Sequence, residues 1–241
     1  MRCIDYSSPD PATNLALEEA LLEAVDQGLQ PDTIRFWECP APFVVLGTGQ
    51  RLTAEVHEDR CLADGVPIMR RCTAGGCVLQ GPGSLNFALF LTLANHPEAA
   101  SLHGSYRYIL DRVRAALKTL GIAAERAGIS DIAVQGRKIS GNAQRRRRNA
   151  ILHHGTLLYR PDLDAIDRYL REPQDRPDYR GARPHRDFIA PVPATPDALK
   201  AALAAAFEAG APVDHPPPDA LARAEALARE KYAQRDWIYR R

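Results

Sequence analysis

"RRCTAGGCVLQGPGSLNF", residues 70–87, decides how the rest of this chain is read. It opens on two arginines, crosses four glycines and a proline, and closes on an apolar, strand-like run. VPIMRR before it reads as a strand ending at Arg70 and Arg71, and SLNFALFL reads as the next strand. Two guanidinium forks followed at once by Thr73-Ala74-Gly75-Gly76 set cations beside backbone that can approach a ligand closely. Glycine amides in such a turn form an anion nest, and arginine adds paired donors for carboxylate or phosphate. The loop matches neither the P-loop pattern nor GxGxxG. Taken alone, it reads equally as a glycine hairpin with two solvated arginines.

Outward from this loop the pattern is mixed. Leu15, Glu18, Glu19, Leu21, Leu22 and Val25 recur with helical spacing after Asp10-Pro11, and Gly28 suits the residue just past a helix end. TIRFWEC and FVVLG are strands separated by Pro40 and Pro42, with Phe36 and Trp37 as core residues. A short helix spans about 54–63 and ends at Gly65. Ile109, Val113, Leu117 and Leu120 make residues 105–120 an amphipathic helix closed by Gly121. DIAVQGRKISGNAQ and NAILHHGTLLY read as two strands joined through a basic turn, and the proline- and arginine-rich stretch 171–193 as a surface loop. Alanine-rich helices complete the chain. Strands joined both by hairpins and by helices predict an α+β fold, with a mixed, largely antiparallel sheet packed with helices.

The 241 residues, 45% of them hydrophobic, suit a single domain over 1–241. A net charge of +1 gives no global pull toward nucleic acid or an anionic membrane. No apolar run approaches the roughly 20 residues that span a bilayer, and the N-terminus lacks a signal-peptide pattern, so a cytoplasmic location is expected. Five scattered cysteines without CxxC spacing suit reduced thiols.

A second stretch, residues 131–158, carries Asp131 and Lys138 seven apart across a strand and turn, with Gly141 close behind. A lysine on a strand beside glycine can reach an anionic centre as a point charge, although an isolated lysine near a hairpin is more often solvated. His153 and His154 are adjacent on a strand, so at most one can face a site. The run Arg145 to Arg148 reads as a solvated hairpin tip, with docking of an acidic protein partner as the alternative. No aromatic residues interleave it, which argues against nucleic acid.

Together, RRCTAGGCVLQGPGSLNF, DIAVQGRKISGNAQ and HHGTLL resemble the lipoate-protein ligase A family, within the biotin/lipoate ligase and octanoyltransferase superfamily. NLALEEALL, FVVLGTGQ, YRGARPHRDFI and the terminal KYAQRDWIYRR agree, in family order across nearly the whole chain. The resemblance implies a catalytic domain like that of class II aminoacyl-tRNA synthetases and biotin ligases. It also implies that ATP and Mg²⁺ activate lipoate or octanoate to an acyl-adenylate, with no tightly bound cofactor. The acyl group then passes to a lysine of a lipoyl carrier domain, such as that of a 2-oxoacid dehydrogenase acyltransferase subunit or the glycine cleavage H protein. Carried over by position, Arg70 faces carboxylate and phosphate, Gly75 and Gly76 line the acyl and phosphate channel, and Asn86 meets the nucleotide. Lys138 is the essential lysine with Gly141 behind it, Asp131 sits near the adenylate and Mg²⁺, and His154, Gly155 and Thr156 flank the acyl pocket. The chain resembles the small form without a C-terminal accessory domain, which in some relatives needs a separate accessory subunit.

The rival within the superfamily is an octanoyltransferase that carries the acyl group on a cysteine. In ligase-like transferases this cysteine precedes the lysine strand, where LGIAAERAGISD has none, and HHGTLL lacks the cysteine of the other branch. Cys72 and Cys77 are close enough to the glycine loop to approach an acyl group, or simply fill space.

Overall fold

The computed structural model describes residues 1–240. Its first half runs β1 (Arg2–Asp5), α1 (Pro11–Asp26), β2 (Thr33–Trp37), β3 (Phe43–Leu46), α2 (Leu52–Glu55), α3 (Glu58–Asp64), β4 (Ile68–Arg70), β5 (Val78–Gln80) and β6 (Ser84–Thr92). After α4 (Leu102–Thr119) come β7 (Glu125–Ala127), β8 (Asp131–Val134), β9 (Arg137–Arg146) and β10 (Ala150–Leu158). The chain then passes α5 (Leu163–Tyr169), α6 (His185–Phe188), α7 (Pro196–Ala206), β11 (Pro212–Val213), α8 (Pro218–Leu227) and α9 (Arg235–Ile238).

Eight strands form one sheet in the order β11-β1-β2-β6-β10-β9-β8-β7, and β4-β3-β5 form a second, smaller one. Pairing is parallel on both sides of β1 and between β3 and β4, and antiparallel elsewhere. The mixed, largely antiparallel sheet expected from the sequence is therefore present. Helices cover both faces because strand side chains alternate. Trp37, Ala88, Phe90 and Leu152 pack under α1 and α8, while Phe36, Phe87, Leu89 and Ile151 pack under α4 and α7. No described helix is long and apolar enough to cross a membrane.

Local chemistry fixes the elements that later hold the site. Asp10 caps α1 by accepting from the Ala12 and Thr13 amides, and Pro11 occupies a first-turn position that needs no amide donor. Gly28, at φ 72°, follows the helix end. α4 starts two to three residues earlier than its apolar periodicity indicates, because Ser101 caps it through the Gly104 amide.

Three readings of the sequence are corrected. DIAVQGRKISGNAQ is itself a hairpin, since Gln135 and Gly136 take φ of 51° and 69°, as a two-residue turn with right-handed twist requires. The stretch 171–193 includes α6 and adds Ile189 to the sheet beside Lys138, whose carbonyl accepts from the Ala190 amide. The arginine run is no free tip. Arg145 pairs with Glu19 at 2.8 Å, Arg147 with Glu23 at 2.8 Å, and Arg146 donates to the Ala99 and Ala100 carbonyls. Three of its four charges thus bind the hairpin to its own neighbours, leaving Arg148 exposed.

Candidate functional site

Strand register lays out the site before any side chain is considered. Trp37 of β2 lies opposite Asn86 of β6, Asn86 opposite Thr156 of β10, Thr156 opposite Gly141 of β9, and Gly141 opposite Asp131 of β8. These five positions form one row across five strands, and residues in such a row share a face. The row floors a cavity of about 510 Å³, which Gly75, Gly76 and Cys77 border from the glycine loop. Buried Leu15, Trp37 and Val45 form its apolar wall, and Ile129, 81% exposed, stands at its mouth with Arg171, Arg176 and Pro177.

At the Asp131 end of the row, Lys138 Nζ lies 2.9 Å from Asp131 Oδ1. Asp131 Oδ2 accepts from the Tyr179 hydroxyl at 2.7 Å, so both carboxylate oxygens are engaged. Burial first, then the Asp131 charge, push the Tyr179 phenol well above its ordinary value, leaving it a donor. A side chain on Gly141 would put its Cβ 2.7 Å from Lys138 Nζ, so glycine leaves the path that the lysine crosses. In the middle, Gln80 Nε2 donates to Asn86 Oδ1 at 2.9 Å and to Thr156 Oγ1 at 2.8 Å, closing a polar trio between β5, β6 and β10. Among the described residues no group of three His, Cys, Asp or Glu side chains is arranged to hold a metal ion.

The glycine loop is held from below. Gly47, in the FVVLG block, would drive a Cβ to 2.1 Å from the Gly75 carbonyl oxygen, so only glycine lets the two segments touch. Gly75 itself takes φ 91°. The two arginines ahead of the loop part company because successive strand residues point opposite ways. Arg70, fully buried, donates to the carbonyls of Ile238 at 2.9 Å, Gly47 at 2.7 Å and Gln50 at 2.8 Å, and does not line this cavity. Arg71 lines the cavity instead, and its Nη2 donates to Ala74 O at 2.6 Å. Arg70, expected to face the ligand, instead fastens the strand to the C-terminal helix, and its neighbour Arg71 is the arginine of the pair that lines the cavity beside Lys138.

The same alternation separates the histidines. His153 is fully buried on the opposite face between Gln144 and Asn142, and burial pushes its pKa down to about 3. His154 faces the cavity, with Nδ1 2.6 Å from Glu18 Oε2. Burial by itself would raise the Glu18 carboxyl, but His154, Arg35 and the Trp37 indole outweigh it, and the net shift is downward. Glu18 therefore stays ionised although only 1% exposed.

Gly75, Gly76, Asn86, Asp131, Lys138, Gly141, His154, Gly155 and Thr156 all border the cavity, as does Arg71 but not Arg70. Sequence reasoning preferred Arg70 to Arg71 and did not assign a site role to Glu18, Gln80 or Tyr179. A signal existed for Glu18: an acid in register with Leu15, Leu22 and Val25 belongs to the buried stripe. Cys72 is buried, and Cys77 is the cysteine that borders the cavity among the described residues. Burial pushes the Cys77 thiol far up, against a smaller opposite pull from Arg71.

A family model for the lipoyl protein ligase A/B catalytic domain matches residues 10–208. The lipoate-protein ligase LplJ of Bacillus subtilis is 32% identical over 183 residues, covering 76% of this chain but 53% of its own. The chain thus spans about half the length of that relative. The octanoyltransferase LipM of Halalkalibacterium halodurans is 28% identical, and the match covers 100% of this chain and 99% of LipM. Among solved structures, that of a bi-partite lipoate protein ligase and its E2 lipoyl domain from Thermoplasma acidophilum includes a chain with the same fold. It superposes with a TM-score of 0.83 at 24% identity, covering 99% of this chain and 96% of that one.

Proposed function

The chain belongs to the lipoyl protein ligase A/B catalytic domain family, and from that premise we propose that it is the catalytic unit of a lipoate-protein ligase. In this reading ATP activates lipoate or octanoate to an acyl-adenylate, and the acyl group passes to a lysine of a lipoyl carrier domain. The apolar wall of Leu15, Trp37 and Val45 suits the acyl chain. Lys138 and Arg71 supply fixed positive charge where acyl and phosphate oxygens gain negative charge, and the Gly75-Gly76 backbone permits close approach. Asn86, Thr156 and Gln80 give polar anchors at mid-cavity. Asp131 holds Lys138 in place through its Oδ1, and its oxygens, each with a free lone pair, would be the group nearest to hold a Mg²⁺ bound to the ATP phosphates.

One observation carries the choice of ligase over acyl-enzyme transferase: neither LGIAAERAGISD ahead of the lysine strand nor HHGTLL holds a cysteine, and Cys77, half-buried at the cavity, has its thiol pushed upward by burial. A thiolate is the competent nucleophile, and a thiol pushed upward supplies almost none. The full-length match to an octanoyltransferase favours the second reading, in which octanoyl carrier protein is the donor. Mass spectrometry of a lipoyl domain incubated with the protein separates the two. A lipoyl increment that requires ATP and Mg²⁺ is expected. An octanoyl increment from octanoyl acyl carrier protein without ATP overturns the ligase reading. An absent product in both arms, restored by an added accessory subunit, assigns the chain to a two-part ligase.

A further inference from the structure

We propose that Glu18, His154 and Thr73 are positioning residues that fix the fork of Arg71 inside the cavity through a single hydrogen-bond chain. The proposal rests on the acyl-activating reading above. Arg71 Nε donates to Thr73 Oγ1 at 2.9 Å, Thr73 Oγ1 lies 2.8 Å from His154 Nε2, and His154 Nδ1 lies 2.6 Å from Glu18 Oε2. The Glu18 carboxylate only accepts, so His154 carries its proton on Nδ1. Nε2 is within hydrogen-bond distance of the Thr73 hydroxyl, whose oxygen accepts from Arg71 Nε. The chain runs from the guanidinium to the carboxylate, and the second Glu18 oxygen accepts from Trp37 Nε1 at 3.0 Å.

The chain matters because of what else holds Arg71. Its Nη2 bond goes to Ala74 within the glycine loop itself, and its Nη1 contact with Val45 O is 3.5 Å, at the limit of a hydrogen bond. The Thr73 link is therefore the one that refers the guanidinium to α1 and β10. A leucine at position 18 would fill the apolar stripe without the desolvation cost of a buried carboxylate. The charge is instead spent on orienting an imidazole toward the loop.

The test uses calorimetric titration of the full chain with two probes, octanoate and the acyl-adenylate analogue octanoyl-sulfamoyl-adenosine. Thr73→Ser keeps the hydroxyl and is expected to bind both within about threefold of the parent. Thr73→Val keeps the shape without the hydroxyl and is expected to bind at least tenfold more weakly, as is Glu18→Gln, with thermal midpoints near that of the parent. Parent-like binding by Thr73→Val, or by Glu18→Gln should the valine variant not fold, overturns the proposal. A serine variant as weak as the valine one does so too. If the parent binds octanoate but not the adenylate analogue, the ligase reading fails, while the order of the variants on octanoate still decides the role of the chain.

Discussion

Lys138 Nζ and Asp131 Oδ1 meet at 2.9 Å across the space that a side chain on Gly141 would fill. Charge, counter-charge and the clearance between them come from one hairpin, β8–β9. Lys138→Ala is expected to abolish acyl transfer. The lysine side chain is about a quarter exposed, so the loss of stability stays near ~1 kcal/mol. Single-turnover transfer to a lipoyl domain, set beside a thermal melt, checks both halves.

Gly141→Ala tests the clearance itself. The new Cβ meets the far end of a flexible side chain, 2.7 Å from Lys138 Nζ, so the lysine swings aside and the backbone stays. Activity falls at least tenfold, because displacements of about 1 Å at a reacting centre cost up to about a hundredfold. The melting midpoint stays close to that of the parent. A parent-like rate in the variant would show that the lysine's position is not critical.

The two adjacent arginines should part in experiment as they do in space. Arg70→Met removes donors to three carbonyls, of which the buried one of Ile238 is the most costly to leave bare, and is expected to cost about 2 kcal/mol or more, read by denaturant unfolding. Arg71→Met loses binding of the adenylate analogue with a smaller unfolding effect, since its firmest bonds are to its own loop. Equal stability losses in the two variants would contradict this division.

Cys77→Ser is expected to leave acyl transfer within twofold of the parent, and Cys77 to resist iodoacetamide at pH 8 in the folded protein. Both follow from a thiol that burial keeps protonated. Rapid alkylation with parallel loss of activity would revive a thioester route.

His153 gives the pH dependence a definite sign. Its folded pKa, about 3, is far below the ordinary 6.5, so the unfolded chain binds a proton that the folded one refuses. The stability present above pH 6.5 is then lost as pH falls toward 3, at roughly 1 kcal/mol per unit. Chemical denaturation across this range should show the decline, and His153→Gln should flatten it between pH 6 and 4.

Much of this was legible in the sequence, for a physical reason. Lys138, Gly141 and the HHGT block sit in strands, where alternation and register translate spacing into position, while Gly75 and Gly76 lie in the loop between β4 and β5. Gly75, Gly76, Asn86, Asp131 and Lys138 were named through the family resemblance that these blocks carry, and all five border the cavity. Arg70 was misread because RR gives no phase: whether the first or second arginine faces the cavity depends on the register of β4 against β3, which pairs Leu46 with Arg70. Glu18, Gln80 and Tyr179 were hidden because each acts through a partner distant in sequence. The arginine run looked solvated since its acidic partners lie on α1, more than a hundred residues earlier.

The row Trp37, Asn86, Thr156, Gly141 and Asp131 also sets a timetable. Its members come from both halves of the chain, and the central strand β10 must pair with β6 and β9 before any two ends of the row are in place. Contacts of such long sequence separation close slowly. No nascent fragment ending before β10 can possess the floor of the cavity, so during synthesis the floor is completed only once β10 has been made.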